Sequence, residues 1–448
     1  MVYTLVNEAP GMLRQANAGL IVADLHASFR THRTHSLEFR KEQLRALQRG
    51  LKEFDDEFAV AFEADLNRSS YLDVSKATRA IQTTLDKLDE MTADRITSGL
   101  NEFDKSFVHL SPLGTVLVIG AWNFPVLLAL EPLIGAIAAG NTCVLKPSEV
   151  SEHSTAVLTR MLDKFMDPTV VQVVNGGPEE TTVLLKERFD HIFYTGNTPV
   201  GRIVMAAASK HLTPVTLELG GKCPAFITEH TDIAVAAQRI AYWKSLNAGQ
   251  VCLTVDYVLC PKNLQEDLIK NVITTWHELF GKDFRNSNSY PRIVSRKQFD
   301  RISKLMESAK EQNKIVFGGK SEADNLYVEP TIVTDVTEQD GLMQCELFAP
   351  ILPIINYETF DDALNIINGQ EHPLNVNLFS NNQDQIDRVL KETQSGAVSV
   401  NDVSSCGMND CLPFGGVGQS GMGRYHGKYS IETFSHPRSV MIRDQAHL

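Results

Sequence analysis

Three polar side chains stand where they could act on a carbonyl group: Cys252 in NAGQVC, Glu218 in LELGGK and Asn123 in GAWNFP. A thiol becomes a strong nucleophile once ionised, and a helix terminus or a nearby positive group can lower its pKa from about 8.5. Cys252 follows Gly-Gln-Val between a helical pattern and a strand pattern, a place where a thiol can be both accessible and tuned. Glu218 ends a short apolar strand before Gly220 and Gly221, so the turn can aim its carboxylate into a cleft and activate water against an acyl intermediate. Asn123 follows a strand and a turn, and its amide could donate to an oxygen that gains charge when a carbonyl is attacked. Each residue also has a plain alternative: a buried thiol, a strand-end acid, an Asn turn or helix cap.

A second set of residues suits a nucleotide. Lys146 and Glu149 in LKPSE could hold ribose hydroxyls, or form an ordinary strand exit and helix cap. YTGNTPVG places Gly196 and Gly201 at a strand-to-helix transition that could admit a pyrophosphate, although its spacing is not the usual Gly-x-Gly-x-x-Gly. The thirteen histidines are scattered, no His-Glu-x-x-His or zinc-spaced Cys/His group occurs, and no metal site is expected. No Gly-x-Ser-x-Gly elbow supports a serine hydrolase.

The elements that must carry these groups follow from periodicity. Between Thr115 and Gly221, β-branched runs at 115–119, 142–146, 170–174, 191–195 and 215–219 alternate with helical stretches at 126–139, 151–166 and 199–208. Apolar strands alternating with helices predict an open, mainly parallel α/β sheet with ligands beyond the strands' carboxyl ends. Asn123, Lys146, Gly196 and Glu218 all fall there. A second α/β unit begins near Ala225, with helix at 232–248, 263–281 and 295–312 and strands at 257–260, 314–317, 350–354, 376–379 and 397–400. Apolar residues every three or four positions from Leu37 to Phe62 predict amphipathic helix, which Gly50 could interrupt. Helix is also expected after Pro10.

The 448 residues exceed one hydrophobic core and imply two or three domains. A net charge of −13 offers no general attraction for nucleic acid or an anionic membrane. Seven cysteines without a Cys-x-x-Cys pair read as reduced thiols of a cytoplasmic protein. The uncharged stretch 110–130 is broken by Pro112, Gly114, Gly120, Asn123 and Pro125, so it predicts no membrane span. The first residues resemble no secretory signal, and the last form no hydrophobic anchor.

Read in order, GAWNFP (120–125), LKPSE (145–149), YTGNTPVGR (194–202), LELGGK (217–222), NAGQVC (247–252) and LPFGGVGQSGMGRYHGK (412–428) closely resemble the aldehyde dehydrogenase superfamily. The resemblance covers almost the whole chain and is strongest to the shorter class 3 and fatty aldehyde dehydrogenases. It implies a Rossmann-like cofactor domain (1–82 and 106–217), a catalytic domain (218–421) and bridging, oligomerising segments (83–105 and 422–448), assembled as a homodimer. It makes Cys252 the nucleophile, Glu218 the base and Asn123 the oxyanion donor together with the Cys252 N–H. Lys146 and Glu149 would hold the adenosine ribose, Gly196 and Gly201 the pyrophosphate, and Glu346 and Phe348 the nicotinamide end. The implied reaction oxidises an aromatic or medium- to long-chain aldehyde to its acid through a thiohemiacetal and a thioester. The cofactor is NAD first, with NADP left open. Trp122, Phe124, Tyr242 and Trp243 would supply an aromatic pocket.

The chain departs from the family at Ala349, where a turn often has Gly, at Val251 before the nucleophile, and at 404–408. Acyl transfer to coenzyme A and a catalytically inactive binding protein are the competing readings. Glu218 speaks against the first, and the intact set of site residues against the second.

Overall fold

The computed structural model describes residues 15–99 and 104–443. Its central feature is a six-stranded sheet. From edge to edge it runs Gly421–Met422, Val215–Glu218, His191–Thr195, Thr115–Ile119, Thr142–Lys146 and Val171–Val173, all parallel except the first. Alternate residues of one strand enter different cores, as the twofold repeat of a strand requires. Val116 and Val118 pack with the helix Leu127–Ala139, while Leu117 and Ile119 pack with Ala18, Val22 and Leu25 of the helix Gln15–Phe29. That first helix agrees with the expectation after Pro10; residues 11–14 of the expected stretch lie outside the described residues.

The second sheet has seven strands in the order Ile315–Phe317, Thr331–Val333, Ile351–Tyr357, Tyr257–Pro261, Pro224–Ile227, Asn375–Phe379 and Ala397–Val400. Only the first pairing is antiparallel. Its two faces also divide by alternation, Phe226 and Leu259 on one side, Ala225 and Val258 on the other. A three-stranded antiparallel sheet joins Arg95–Thr97, Lys105–Pro112 and Ser435–Ile442, so the last strand among the described residues returns to a segment near residue 100.

The α/β expectation holds, with local corrections. Gly50 does not break its helix: Leu37–Glu53 runs through it, and the interruption falls at Phe54. A Cβ at Gly50 would lie 2.9 Å from Met161 Cγ, so the glycine serves close helix packing. The helix expected over 232–248 stops at Ser245, because Asn247, Ala248 and Gly249 are left-handed, with φ of 51°, 51° and 73°. The helix Tyr71–Thr92 escaped the periodicity reading. Its buried face mixes Val74, Ala77, Ala80, Ile81, Thr84 and Leu88 with Asp73 and Lys76, too few large apolar groups to stand out.

Candidate active site

The strand register sets the site. Ile119 pairs with Lys146 and with Tyr194, and Thr195 pairs with Glu218, so one sheet edge presents Lys146, Thr195 and Glu218 at the carboxyl ends of adjacent parallel strands. Helices and loops that follow those ends close over them.

Cys252 is half-buried in the turn after the left-handed run. The run is held by side chains. The Asn247 amide donates to Asn123 O at 3.0 Å and Gln250 O at 3.1 Å, and its oxygen accepts from Arg68 Nε at 3.0 Å. An alanine in this conformation costs about 1–2 kcal/mol, a strain tolerated where the surroundings over-determine it. Gly249 has no substitute here, since a Cβ would stand 2.2 Å from Ala349 O at a φ that already disfavours one. The backbone N–H groups at Cys252 and Leu253 favour the ionised sulfur, against the stronger influences that raise it.

No cation lowers the thiol. Burial, then the charges of Glu346 and Glu218, push it up to about 12. The lowered thiol that a helix end or a cation could have produced is therefore absent in this state, and ionisation requires a base. Two carboxyls whose charge reaches the thiol, Glu346 and Glu218, can take its proton, and Glu218 is the one set to act on water. It is 3% exposed, neither carboxylate oxygen has a hydrogen-bond partner, and burial followed by the charge of Glu131 raises it well above the usual carboxyl range. Burial makes a carboxyl more basic, the direction a general base needs.

Asn123 is buried and donates through Nδ2 to Gln250 O at 3.1 Å, two residues before Cys252. Its carbonyl accepts from Arg68 Nη2 at 2.9 Å. Arg68, itself buried, also bonds Asp73 at 3.0 Å and lies over the rings of Phe62 and Phe124. Phe124 is thus a core residue beneath a guanidinium, and Tyr242 is half exposed on its helix. Trp122 meets Phe348 edge-on at 5.5 Å, which places the aromatic pair beside the thiol loop.

Glu346, in the loop before the strand Ile351–Tyr357, acts on Cys252 through its charge. A Cβ on Gly220 would fall 2.2 Å from Glu346 Oε2, so the glycine turn is what admits this carboxyl. Burial, then the charge of Asp256, lifts Glu346 to about 8. Its segment is clamped at several points: Lys222 Nζ bonds Asp256, Leu342 O and Cys345 O; Asp256 accepts from Leu347 N at 3.0 Å; Arg301 donates to Glu346 O and Leu347 O. The left-handed residue there is Phe348, with φ 48°, and not Ala349. Alanine in the place of the family's glycine therefore strains no backbone.

Lys146 and Glu149 form an ion pair of 2.7 Å, the lysine buried and the acid facing out. Gly196 precedes the helix Thr198–Ser209 and Gly201 lies within its first turns; the Asn197 side chain caps it by accepting from Val200 N. A Cβ at Gly201 would meet Leu219 at 2.8 Å and one at Gly196 would meet Tyr194 Oη at 2.2 Å, so both glycines let helix and strand approach closely. The buried Thr195 hydroxyl has no partner. A dinucleotide fits this donor set: an ammonium and a carboxylate for a ribose, a helix start for phosphate, and Glu346 for the second ribose. The site residues thus form two groups, Cys252, Glu218, Glu346, Phe348 and Asn123 around the thiol, and Lys146, Glu149, Gly196 and Gly201 farther along the sheet edge.

Arg68, Lys222 and Asp256 were not anticipated, since single charged residues in helices or turns carry no motif. Glu131 had a signal: it is the lone formal charge between Lys105 and Lys146.

A family model described as "Aldehyde dehydrogenase family" matches residues 10–440. The chain is 45% identical over 428 residues to rat (Rattus norvegicus) "Aldehyde dehydrogenase family 3 member A2", covering 94% of this chain and 88% of the relative. It is 42% identical to the dog (Canis lupus familiaris) "Aldehyde dehydrogenase, dimeric NADP-preferring", covering 94% of each. A solved structure described as the substrate-bound state of Staphylococcus aureus AldH superposes with a TM-score of 0.92 at 39% identity, over 95% of this chain and 94% of that one.

Proposed function

Because the chain belongs to the aldehyde dehydrogenase family and oxidises aldehydes to carboxylic acids with NAD(P), we propose that Cys252 is its nucleophile, Glu218 its base and Asn123 its oxyanion donor. The observation that carries this reading is the unpartnered, raised Glu218 carboxyl whose charge acts on the half-buried Cys252 thiol.

The Cys252 proton passes to a neighbouring carboxyl, Glu346 or Glu218, and on through water to solvent, so that Glu218 is ionised again before hydrolysis; the thiolate attacks the aldehyde carbon to give a thiohemiacetal. The Asn123 amide and the Cys252 N–H donate to its oxygen, which a fixed, dry donor stabilises more than water does. When bound, the nicotinamide supplies the hydride acceptor that turns this adduct into a thioester. Glu218 then deprotonates the water that hydrolyses the thioester, and the C–S bond breaks to restore the thiolate. Lys146, Glu149, Gly196 and Gly201 would hold the adenosine end, Glu346 and Phe348 the nicotinamide end.

We assign the cofactor domain to 1–82 and 106–217, the catalytic domain to 218–421 and the oligomerising segments to 83–105 and 422–448. A homodimer is supported by the edge strand Ser435–Ile442, whose residues from His436 on are mostly exposed. The substrate assigned is an aromatic or medium- to long-chain aldehyde, from Trp122 and Phe348 beside the thiol. Among the described residues no helix is long and apolar enough to cross a membrane; with all seven cysteines free, a reducing, cytoplasmic setting is assigned.

Two variants test the chemistry. Cys252→Ala should abolish reduced-cofactor formation. Glu218→Gln should give a burst of reduced cofactor, a slow steady rate and acyl mass on Cys252 in rapid mixing. Turnover by Cys252→Ala, or near-normal steady turnover by Glu218→Gln, defeats the assignment, provided both variants fold and bind NAD.

A further inference from the structure

Behind Glu218 lies a buried polar cluster that the reaction scheme does not use. Glu131, 4% exposed, sits in the otherwise apolar helix Leu127–Ala139. Its Oε1 is 3.3 Å from His426 Nε2 and its Oε2 is 3.6 Å from Lys76 Nζ. His426 is 1% exposed, stacks on Phe414 at 4.9 Å and touches Tyr425 at 4.4 Å. Its backbone is left-handed at φ 78° and is fixed by N–H donation to Ser430 Oγ at 2.9 Å. Asp410 completes the group: one ligand-type atom from each of Glu131, Asp410 and His426 lies within 4.8 Å of the others. Asp410 in turn pairs at 3.5 Å with Arg79, a side chain 53% exposed.

Both ring nitrogens of His426, Glu131 Oε2 and Asp410 Oδ1 lack a hydrogen-bond partner, and a small cavity lined by Thr83, Thr84, Glu131 and Asp410 adjoins them. So many unpartnered buried polar atoms call for a role. A metal ion is a poor occupant, because Lys76 and Arg79 already balance the two carboxylates. The segment that leads to His426 pairs with the strand of Glu218, Gly421 opposite Glu218 itself, which ties the cluster to the thiol site. The charge of Glu131 acts on Glu218, and Tyr425 feels Glu131, Glu218, Cys252 and Asp410 together.

We propose that His426, oriented by Glu131, is the outlet for the proton that Glu218 collects during thioester hydrolysis, with Asp410 at its solvent end; this rests on the covalent reading above. Each hydrolysis leaves one water proton on the Glu218 carboxyl, which is 3% exposed and has no hydrogen-bond partner to pass it to. Transfer through water to a His426 ring nitrogen restores the Glu218 carboxylate and makes an imidazolium. Glu131 stabilises that cation: burial opposes its ionisation, yet His426 and Lys76 hold its carboxyl at about 2. The imidazolium then releases its proton towards Asp410 and solvent. No electrons move. The groups that face Glu131 and His426 are Lys76 and Arg79 from the helix Tyr71–Thr92, Asp410 from the loop before Phe414, Tyr425 beside His426, and Glu218 from the sheet edge. His426 and Glu131 are therefore positioning and relay residues that act through Glu218.

The full chain, saturated with NAD and hexanal, tests this by rapid mixing from pH 6 to 9.5 in H2O and D2O. Glu131→Gln and His426→Ala should keep the first burst of reduced cofactor, lose about tenfold or more in steady rate, and accumulate acyl mass on Cys252. Both should shift the pH profile of the steady rate, and added imidazole should restore His426→Ala several-fold. Should His426→Ala fail to fold, the isosteric Glu131→Gln carries the test. Wild-type steady rates and pH profile in the folded variants overturn the outlet. So does an equal fall in burst and steady rate without imidazole rescue, which marks a structural role. Acyl mass on Cys252 in Glu218→Gln, with these two variants unaffected, refutes the outlet alone; no acyl mass in Glu218→Gln refutes the covalent reading beneath it.

Discussion

Replacing Arg68 with Met removes a buried cation from between Asp73, Asn123 and Asn247 while keeping most of the side chain's volume. Three consequences follow. Asp73 is fully buried, and losing its partner leaves an uncompensated acid, a change worth about 3–5 kcal/mol. Asn123 O and Asn247 Oδ1 each lose a charged donor, at 2.9 and 3.0 Å. With those ties gone, the left-handed run before Cys252 and the Asn123 amide are free to drift. Unfolding entropy of about 2.1 cal/mol/K per residue over 448 residues gives roughly 0.9 kcal/mol/K, so ~4 kcal/mol lowers Tm by only ~4 °C if the chain unfolds as one unit. The catalytic loss should be larger in proportion. Full loss of one oxyanion donor costs about 10²–10³ in kcat, so a misplaced one should cost about 10–100-fold. The double variant Arg68→Met/Asp73→Asn separates the effects, because Asn at 73 removes the orphaned charge and keeps the acceptor for Leu127 N. Tm should recover by most of the loss while kcat/KM stays low. Recovery of kcat/KM together with Tm refutes the positioning role, and an unchanged Tm in Arg68→Met refutes the buried-pair reasoning.

Glu346 is raised to about 8 in the folded chain. A carboxyl raised by folding contributes its stability below its unfolded pKa of about 4.5 and loses it as pH climbs towards 8. Glu346→Gln should therefore raise Tm at pH 8.5 relative to wild type and change it little at pH 4.5; equal shifts at both pH values refute this. Light scattering at micromolar concentration should report a dimer, and Ile442→Asp on the exposed edge strand should weaken it; a wild-type monomer counts against the arm. Among acetaldehyde, hexanal and benzaldehyde, the latter two should show the higher kcat/KM, and a strong preference for acetaldehyde overturns the substrate assignment.

Sheet strands and crossover helices were legible because they are apolar runs of different period. TVLVI, TCVLK and HIFYT became strands at the residues expected. Pro224–Ile227 and Thr331–Val333 were not foreseen, since three or four apolar residues between turns are indistinguishable from loop or helix by pattern alone. The end of the helix before Cys252 was also misplaced. Periodicity continues through Asn247 and Ala248, but side chains distant in sequence, Arg68 and Asn123, bond the backbone and amide into a left-handed turn. Tertiary hydrogen bonds decide such a stretch, and no local propensity records them.

The same limit applies to the chemistry. Cys252, Glu218 and Asn123 could be named because their types and turns suit attack on a carbonyl, yet their ionisation could not. A nucleophile motif suggests a lowered thiol; the structure instead surrounds Cys252 with two carboxyls and no cation, and burial dominates all three groups. Three acids in one dry cleft suppress one another's charge. Forming the thiolate must then coincide with placing its proton on a neighbouring carboxyl, which keeps the net charge of the cleft constant. That constraint explains why a base stands unpartnered beside the thiol where a cation might have been expected. It also keeps the thiol protonated, and so resistant to oxidation, until a carbonyl arrives to take the sulfur's electrons.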